Sequence, residues 1–342
     1  MPATVGHGNV RSILVTIFAA ALPAIASSAV AADANWLPVR DQNPLVLGLG
    51  LPLLPPASSH AGEWQIEALF DESNTQLISS TPGRRPGDPG IHVLYGAETR
   101  ETRLAVAYAL DEHWIARASL GDEWIGVGFL DKPIQHFHKF IGAPRGFRGG
   151  GLGARPPVIR VTRDGETLYS LDRSGQALAP LLLDVTRSWD MSDARYGLSF
   201  GAKLPTGDTK RLSDTGDTGV SVAGFGEWTV HETIRVGARL GYLYAHGTDV
   251  LPTLARASVP FADMYVRTPL IGRWDAEIQY DAHGAPYRHG PIFLGHAGVF
   301  TVGLAHPVTA RSELLLGVSE DVPIGHTQDV SFLIALRYRP GD

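Results

Sequence analysis

Alternate positions along much of this chain differ in kind. From Ile234 to Ala245 one series runs Ile234, Val236, Ala238, Leu240, Tyr242, Tyr244, and the interleaved series runs Arg235, Gly237, Arg239, Gly241, Leu243. A period of two marks a β-strand with one apolar face and one polar or small face. Tyr196, Leu198, Phe200, Ala202 and Leu204 alternate in the same way with Arg195, Gly197, Ser199, Gly201 and Lys203. Trp274, Ala276, Ile278 and Tyr280 alternate with Arg273, Asp275, Glu277, Gln279 and Asp281. The last such run sets Phe332, Ile334, Leu336 and Tyr338 against Leu333, Ala335 and Arg337.

Soluble sandwiches also contain two-faced strands, so length and spacing decide. Strands are expected near 64–70, 91–110, 114–129, 178–188, 194–204, 219–230, 234–245, 261–269, 273–281, 296–305, 310–319 and 328–338, twelve in all. Most suit a tilted bilayer crossing, which takes about 9–11 residues. Short turns at Asp111–His113, Trp189–Asp193, His231–Thr233, Leu270–Gly272 and His306–Thr309 alternate with long loops at 71–90, 131–177, 205–218, 246–260, 282–295 and 320–327. Short periplasmic turns and long outer loops belong to outer-membrane barrels. The expected fold is therefore all-β, a closed transmembrane antiparallel barrel of twelve strands with both termini periplasmic. Within 91–110 the apolar phase changes from odd (Ile91, Val93, Tyr95) to even (Leu104, Val106, Tyr108, Leu110). A bulge explains the change, and so does a turn near Arg100 that would make fourteen strands. Tyr108, Trp114, Trp228, Trp274 and Tyr338 fall on apolar faces near short turns or the C-terminus, as rings at the headgroup level do. Asp164-Gly165, between Val158–Arg163 and Glu166–Leu171, is a hairpin signal inside a long loop.

The start of the chain points to export. Arg11 is the only charge before Asp33, Ile13–Ala24 is apolar but for Thr16 and Pro23, and Ala29–Ala32 offers small residues for a signal peptidase. An apolar span this short falls below the roughly 20 residues of a helical crossing. The expected organisation is a signal peptide over 1–32, cleaved after Ala31 or Ala32, a periplasmic N-terminal segment over 33–60, and the barrel over 61–342. Pro44–Pro56, the most apolar later stretch, is broken by Pro52, Pro55 and Pro56 and cannot run as a helix. The chain has no cysteine, which excludes a disulfide, a thiolate metal site and a lipoprotein anchor. Its formal charge is −6, and losing Arg11 with the signal makes it −7, so nothing basic points to nucleic acid.

Two stretches carry a resemblance. Val39-Arg40-Asp41-Gln42-Asn43-Pro44 and His136-Phe-His138-Lys-Phe140-Ile-Gly142-Ala-Pro144, ahead of Arg145, resemble an uncharacterised family of proteobacterial outer-membrane proteins, a domain of unknown function. Gly201-Ala-Lys203-Leu204-Pro205-Thr206-Gly207-Asp208 is similar to a strand end in barrels linked to uptake of aromatic compounds. The resemblance covers most of residues 35–338 and implies an outer-membrane barrel, with no established activity or catalytic residue.

The residues offer little catalytic chemistry. His136 and His138, with Asp131, would need a third metal ligand that the spacing does not supply, and Gly146–Gly153 lacks the lysine and hydroxyl of a phosphate loop. No nucleophile elbow or triad spacing is present, and no cofactor is expected. His136, His138 and Arg145 remain loop candidates. The polar strand faces are better placed: Arg195, Lys203, Arg235, Arg239, Arg267, Arg273, Asp275, Glu277, Asp281, Arg311, Glu313 and Arg337 are expected to face the lumen, with Arg235/Arg239 and Asp275/Glu277 as the constriction. Such charges fit both an open channel and a sealed bore, because lipid would exclude them from the other face in either case. The leading expectation is a passive channel or uptake pore for a small solute, partly apolar or anionic. A sealed barrel with a structural or surface-interaction role is the alternative, and a lipid-modifying enzyme the third. Expected partners are outer-membrane lipid and the barrel-assembly machinery, which reads a closing strand like 328–338, although four residues follow Tyr338 here.

Overall fold

The computed structural model describes residues 36–57, 60–81, 90–130, 132–134, 136, 139, 157–231 and 233–340. A one-turn helix, α1 (Pro44–Leu47), precedes fifteen strands: β1 (Trp64–Thr81), β2 (Ile91–Ala109), β3 (Trp114–Gly126), β4 (Val158–Arg163), β5 (Glu166–Leu171), β6 (Gly175–Leu178), β7 (Leu181–Asp190), β8 (Ala194–Leu204), β9 (Thr218–His231), β10 (Ile234–His246), β11 (Ser258–Ile271), β12 (Trp274–His283), β13 (Ala297–Pro307), β14 (Ser312–Asp321) and β15 (Val330–Tyr338). Twelve of them close a ring in the order β1–β2–β3–β7 and onward to β15, which pairs back onto β1 from Ile66↔Tyr338 to Asn74↔Val330. Closure leaves no unpaired edge in the wall, the condition for a sheet in lipid. The remaining strands lengthen the wall at the long-loop end. There β4 pairs with β2 beyond the end of β3, and β6 pairs with β3 beyond the start of β7.

The outward series along the wall is apolar and uncovered. Leu240, Met264, Leu198 and Ile334 are among its exposed side chains. At the short-turn end these apolar columns finish in aromatics: Trp64 lies on Tyr108 with ring centroids 4.6 Å apart, and the Trp228 indole N–H donates to the Tyr196 hydroxyl at 2.8 Å. Asp111 closes the turn before β3 by accepting from the N–H groups of His113 and Trp114, and those two bonds hold its carboxyl below the usual range. The hairpin expected at Asp164-Gly165 is present, with φ of 50° and 85° at the two turn residues.

Neither a bulge nor a turn interrupts β2. Its pairing with β1 runs unbroken from Trp64↔Tyr108 to Thr81↔Ile91, so fourteen strands are ruled out. Odd residues face inward throughout, and what changes is their surroundings. Ile91, Val93, Tyr95 and Ala97 enter an apolar cap at the long-loop end, built with Leu212, Val250, Leu254, Tyr287 and Phe293 from three loops. Glu101 and Arg103, deeper down, face the polar bore.

The loop expected over 71–90 is strand as far as Thr81. Asp71–Gln76 is polar on both faces, so alternation could not reveal it. Its outward side chains are partnered: Glu72 takes Arg100 at 2.5 Å, Asn74 donates to Glu98 at 3.2 Å, and the N–H groups of Phe129 and Leu130 donate to Glu98 at 2.7 and 2.6 Å.

The face assignment has a direct test. Leu240→Arg puts a charge on the lipid face and is expected to lower stability by about 2–4 kcal/mol, measured by urea titration of the barrel in vesicles.

Candidate functional site

The barrel's inner face carries arginines, lysine, aspartates and glutamates in close succession. A charge in a dry interior needs a counter-charge or a hydrogen-bonded partner. Some of these partners come from the wall. Arg117 meets Asp184 at 2.7 Å, Arg195 meets Glu227 at 3.2 Å, and Arg239 meets Asp263 at 2.6 Å. Arg267 lies 3.0 Å from Asp275 and 2.6 Å from Glu313, and Arg337 lies 2.7 Å from Glu67.

The other partners come from the chain's own N-terminal end. Residues 33–60 were expected in the periplasm, but the described part of that segment, Trp36–Ala57, lies inside the bore. It forms a U, with one leg from Trp36 to Asn43, α1 at the bend, and a return leg from Gly48 to Ala57. The reason lies in its backbone, since the wall arginines hold more N–H groups than the wall carboxylates use. Arg117 donates to Leu53 O, Arg195 to Pro56 O at 2.9 Å, Arg239 to Leu53 O at 2.8 Å, and Arg337 to Trp36 O. The prolines that forbid a long helix leave these carbonyls free to accept. On the first leg, Leu37 N–H lies 3.1 Å from Glu277 and 3.0 Å from Gln279, which donates back to Leu37 O.

The Val39–Pro44 stretch makes the densest contacts. Arg40 donates to Glu101 Oε1 at 2.8 Å and Gln42 Nε2 to Glu101 Oε2 at 3.0 Å. Asn43 caps α1 by accepting from Leu45 N–H, and Pro44 occupies the first helical position, where no N–H is needed. Asp41 accepts from Thr327 and lies 2.7 Å from His283 Nε2, while His283 Nδ1 lies 2.8 Å from Gly284 O. Each ring nitrogen of His283 thus has an oxygen within hydrogen-bond reach, which ties the first leg of the U to the end of β12.

Lys203, in the Gly201–Asp208 stretch, is buried between Asp214 at 2.9 Å and Asp217 at 3.0 Å, and donates to Thr215 at 2.7 Å. The Thr215 hydroxyl donates to Gly48 O, tying that loop to the return leg. Thr206 donates to Ala179 O, and a Cβ at Gly207 would sit 2.5 Å from Leu178 O, so glycine is needed there. This motif anchors a loop onto the wall and the U-shaped segment.

Of the residues expected in the lumen, Arg195, Lys203, Arg239, Asp275, Glu277 and Glu313 take part in these contacts, and Arg235 is half-buried in the wall. Arg273 and Arg311 do not. Both are exposed on short turns, because β12 begins at Trp274 and β14 at Ser312, and alternation assigns no face outside a strand. The residues expected at the constriction find partners along the wall. Arg239 turns to Asp263 and Asp275 to Arg267, each across one strand pair. His136 is exposed, while His138, Arg145 and Asp131 lie outside the described residues. Sequence reasoning passed over Asp71, Glu101, Arg103, Arg117 and Glu123, although the inward series of β2 and β3 already contained the last four. It also passed over Arg40 and Asp41, which no strand pattern marks.

A cavity of about 40 Å³ remains between the U and β10–β13, room for water and little more. This is a closed transmembrane β-barrel whose bore is filled by its own N-terminal segment. The chain belongs to the DUF3187 family, proteins of unknown function, whose model matches residues 12–340, in keeping with the resemblance drawn from the motifs. No curated protein matches it in sequence. Among solved structures it is similar to the COG4313 outer-membrane channel from Pseudomonas putida F1, at 12% identity over 82% of this chain and 96% of that one, with a TM-score of 0.52. It is also similar to the toluene transporter TbuX of Ralstonia pickettii, at 12% identity over 88% of this chain and 92% of that one, with a TM-score of 0.38. At such identities the likeness is one of fold.

Lys203→Met strands two buried carboxylates. It is expected to cost about 3–5 kcal/mol in a denaturant titration and to open the loop at 205–217 to protease.

Proposed function

We propose that the protein is a passive outer-membrane channel for a small solute, closed at rest by its N-terminal U. The observation that carries this reading is how the U is held. Among the described residues it pairs with no wall strand, and its polar contacts to the wall are separate hydrogen bonds and ion pairs, each worth about 1.5–3 kcal/mol net where one group is charged. Both legs lead to the short-turn end, so the U can withdraw there without unthreading the wall. The wall arginines named above keep their wall carboxylates after it leaves, so an open bore needs no new counter-ions at those positions.

In this reading residues 1–32 are a cleaved export signal, the short turns and both termini face the periplasm, and the assembly machinery reads β15. The wall acts by admitting solute and performs no catalysis. A sealed barrel is the second reading, favoured by the apolar cap over the long-loop end.

A cross-link separates the two. The chain has no cysteine, so Asp41→Cys with Thr327→Cys, whose native side chains hydrogen-bond directly, introduces the only thiols. Reduced protein in planar bilayers is expected to conduct, and oxidised protein to fall silent. If neither form conducts, the channel fails and the sealed barrel stands. Lipid turnover by the purified protein would overturn both.

A further inference from the structure

One stretch of wall is not neutralised in this way. The register sets Asp71 opposite Glu101, and Glu101 opposite Glu123, in a row across β1, β2 and β3. All three face inward and are buried, at 1%, 0% and 2% exposure. Like charges directly opposite on one face repel, and a buried carboxylate needs a partner. Two cations meet the row. Arg103 lies 3.5 Å from Glu101 without donating a hydrogen bond from any of its three nitrogens, and Arg40 of the U lies 2.8 Å from Glu101. Arg40 and Gln42 together occupy both Glu101 oxygens. Neither oxygen of Glu123 has a hydrogen-bond partner among the described residues.

The count of acidic and basic groups follows from these contacts. With the U in place the row holds three carboxylates against two arginines. When the U withdraws it takes Arg40 with it, and three carboxylates face Arg103 alone. A vacated row of that kind attracts cations and repels anions. We propose that Asp71, Glu101 and Glu123 form a binding station for the cationic group of the passing solute, a small guanidinium or primary ammonium compound, and that Arg40 fills it in the closed state as a tethered stand-in. This assignment rests on the channel reading for its solute, and it turns the expectation of an anionic or partly apolar solute around. It treats the U as a competitor for the station as well as an obstruction.

The test is binding of agmatine, which carries both cationic groups, to the full mature chain folded in detergent, followed by saturation-transfer NMR with acetate and glucose as controls. Arg40→Gln removes the stand-in and is expected to tighten agmatine binding by about tenfold, while Glu123→Gln and Asp71→Asn weaken it by a similar factor. Heat-modifiable gel mobility checks that each variant folds, and Arg40→Gln is informative even if the carboxylate variants do not. The assignment is overturned if agmatine binds no better than acetate, or if Arg40→Gln leaves its binding unchanged. Flux measurements separate the two claims. Conductance with acetate crossing as readily as agmatine keeps the channel and removes the station. Agmatine binding that follows Arg40 and Glu123 in a non-conducting barrel keeps the station and removes the channel.

Discussion

Charges on the inner face of a membrane barrel have no second place to go. Turned outward they would enter lipid, so their partners have to be found within the bore. Arg239 shows the consequence most directly: it spends part of its guanidinium on Asp263 and the rest on the carbonyls of Pro52 and Leu53. The same division recurs at Arg195, between Glu227 and Pro56 O, and at Arg337, between Glu67 and Trp36 O. The wall thus creates a demand for backbone acceptors, and the N-terminal segment, kept irregular by its prolines, meets it. Barrel and plug depend on one another through this exchange.

The filled bore is asymmetric. Around Arg195, Arg239 and Arg337 each guanidinium already has a wall carboxylate, and the U adds only backbone carbonyls as acceptors. Across β1–β3 the wall is acidic and the U supplies a charge. Removing the segment would leave the first region much as it is and unmask the second. A channel built this way keeps its closed state bound by many separate contacts and carries its selective charge where the plug itself is cationic.

Much of this fold was legible in the sequence, and the boundary of legibility has a physical cause. Ala194–Leu204 reads as a strand because one face meets lipid and the other does not, and a side-chain period of two follows directly. Asp164-Gly165 reads as a hairpin because few residues accept positive φ. Beyond the lipid the rule lapses. Asp71–Gln76 is strand with polar groups on both sides, and the apparent phase change in β2 arises where the inner face passes from apolar cap to polar bore. Arg273 and Arg311 were misplaced by one or two residues of strand boundary, enough to move a side chain from lumen to turn.

Local chemistry therefore settled the elements, their faces and the need to pair the inner charges. It settled the barrel too, since alternation, strand length and the lengths of the connections all follow from crossing a bilayer. The partners of those charges were decided only in three dimensions. Arg40 and Glu101 are far apart in the chain, as are Asp41 and His283, and nothing in either local pattern marks the other. Whether Trp36–Ala57 stays outside or fills the bore depends on the sum of many such long-range contacts. That sum exists only once the ring has closed and brought all twelve strands around one space.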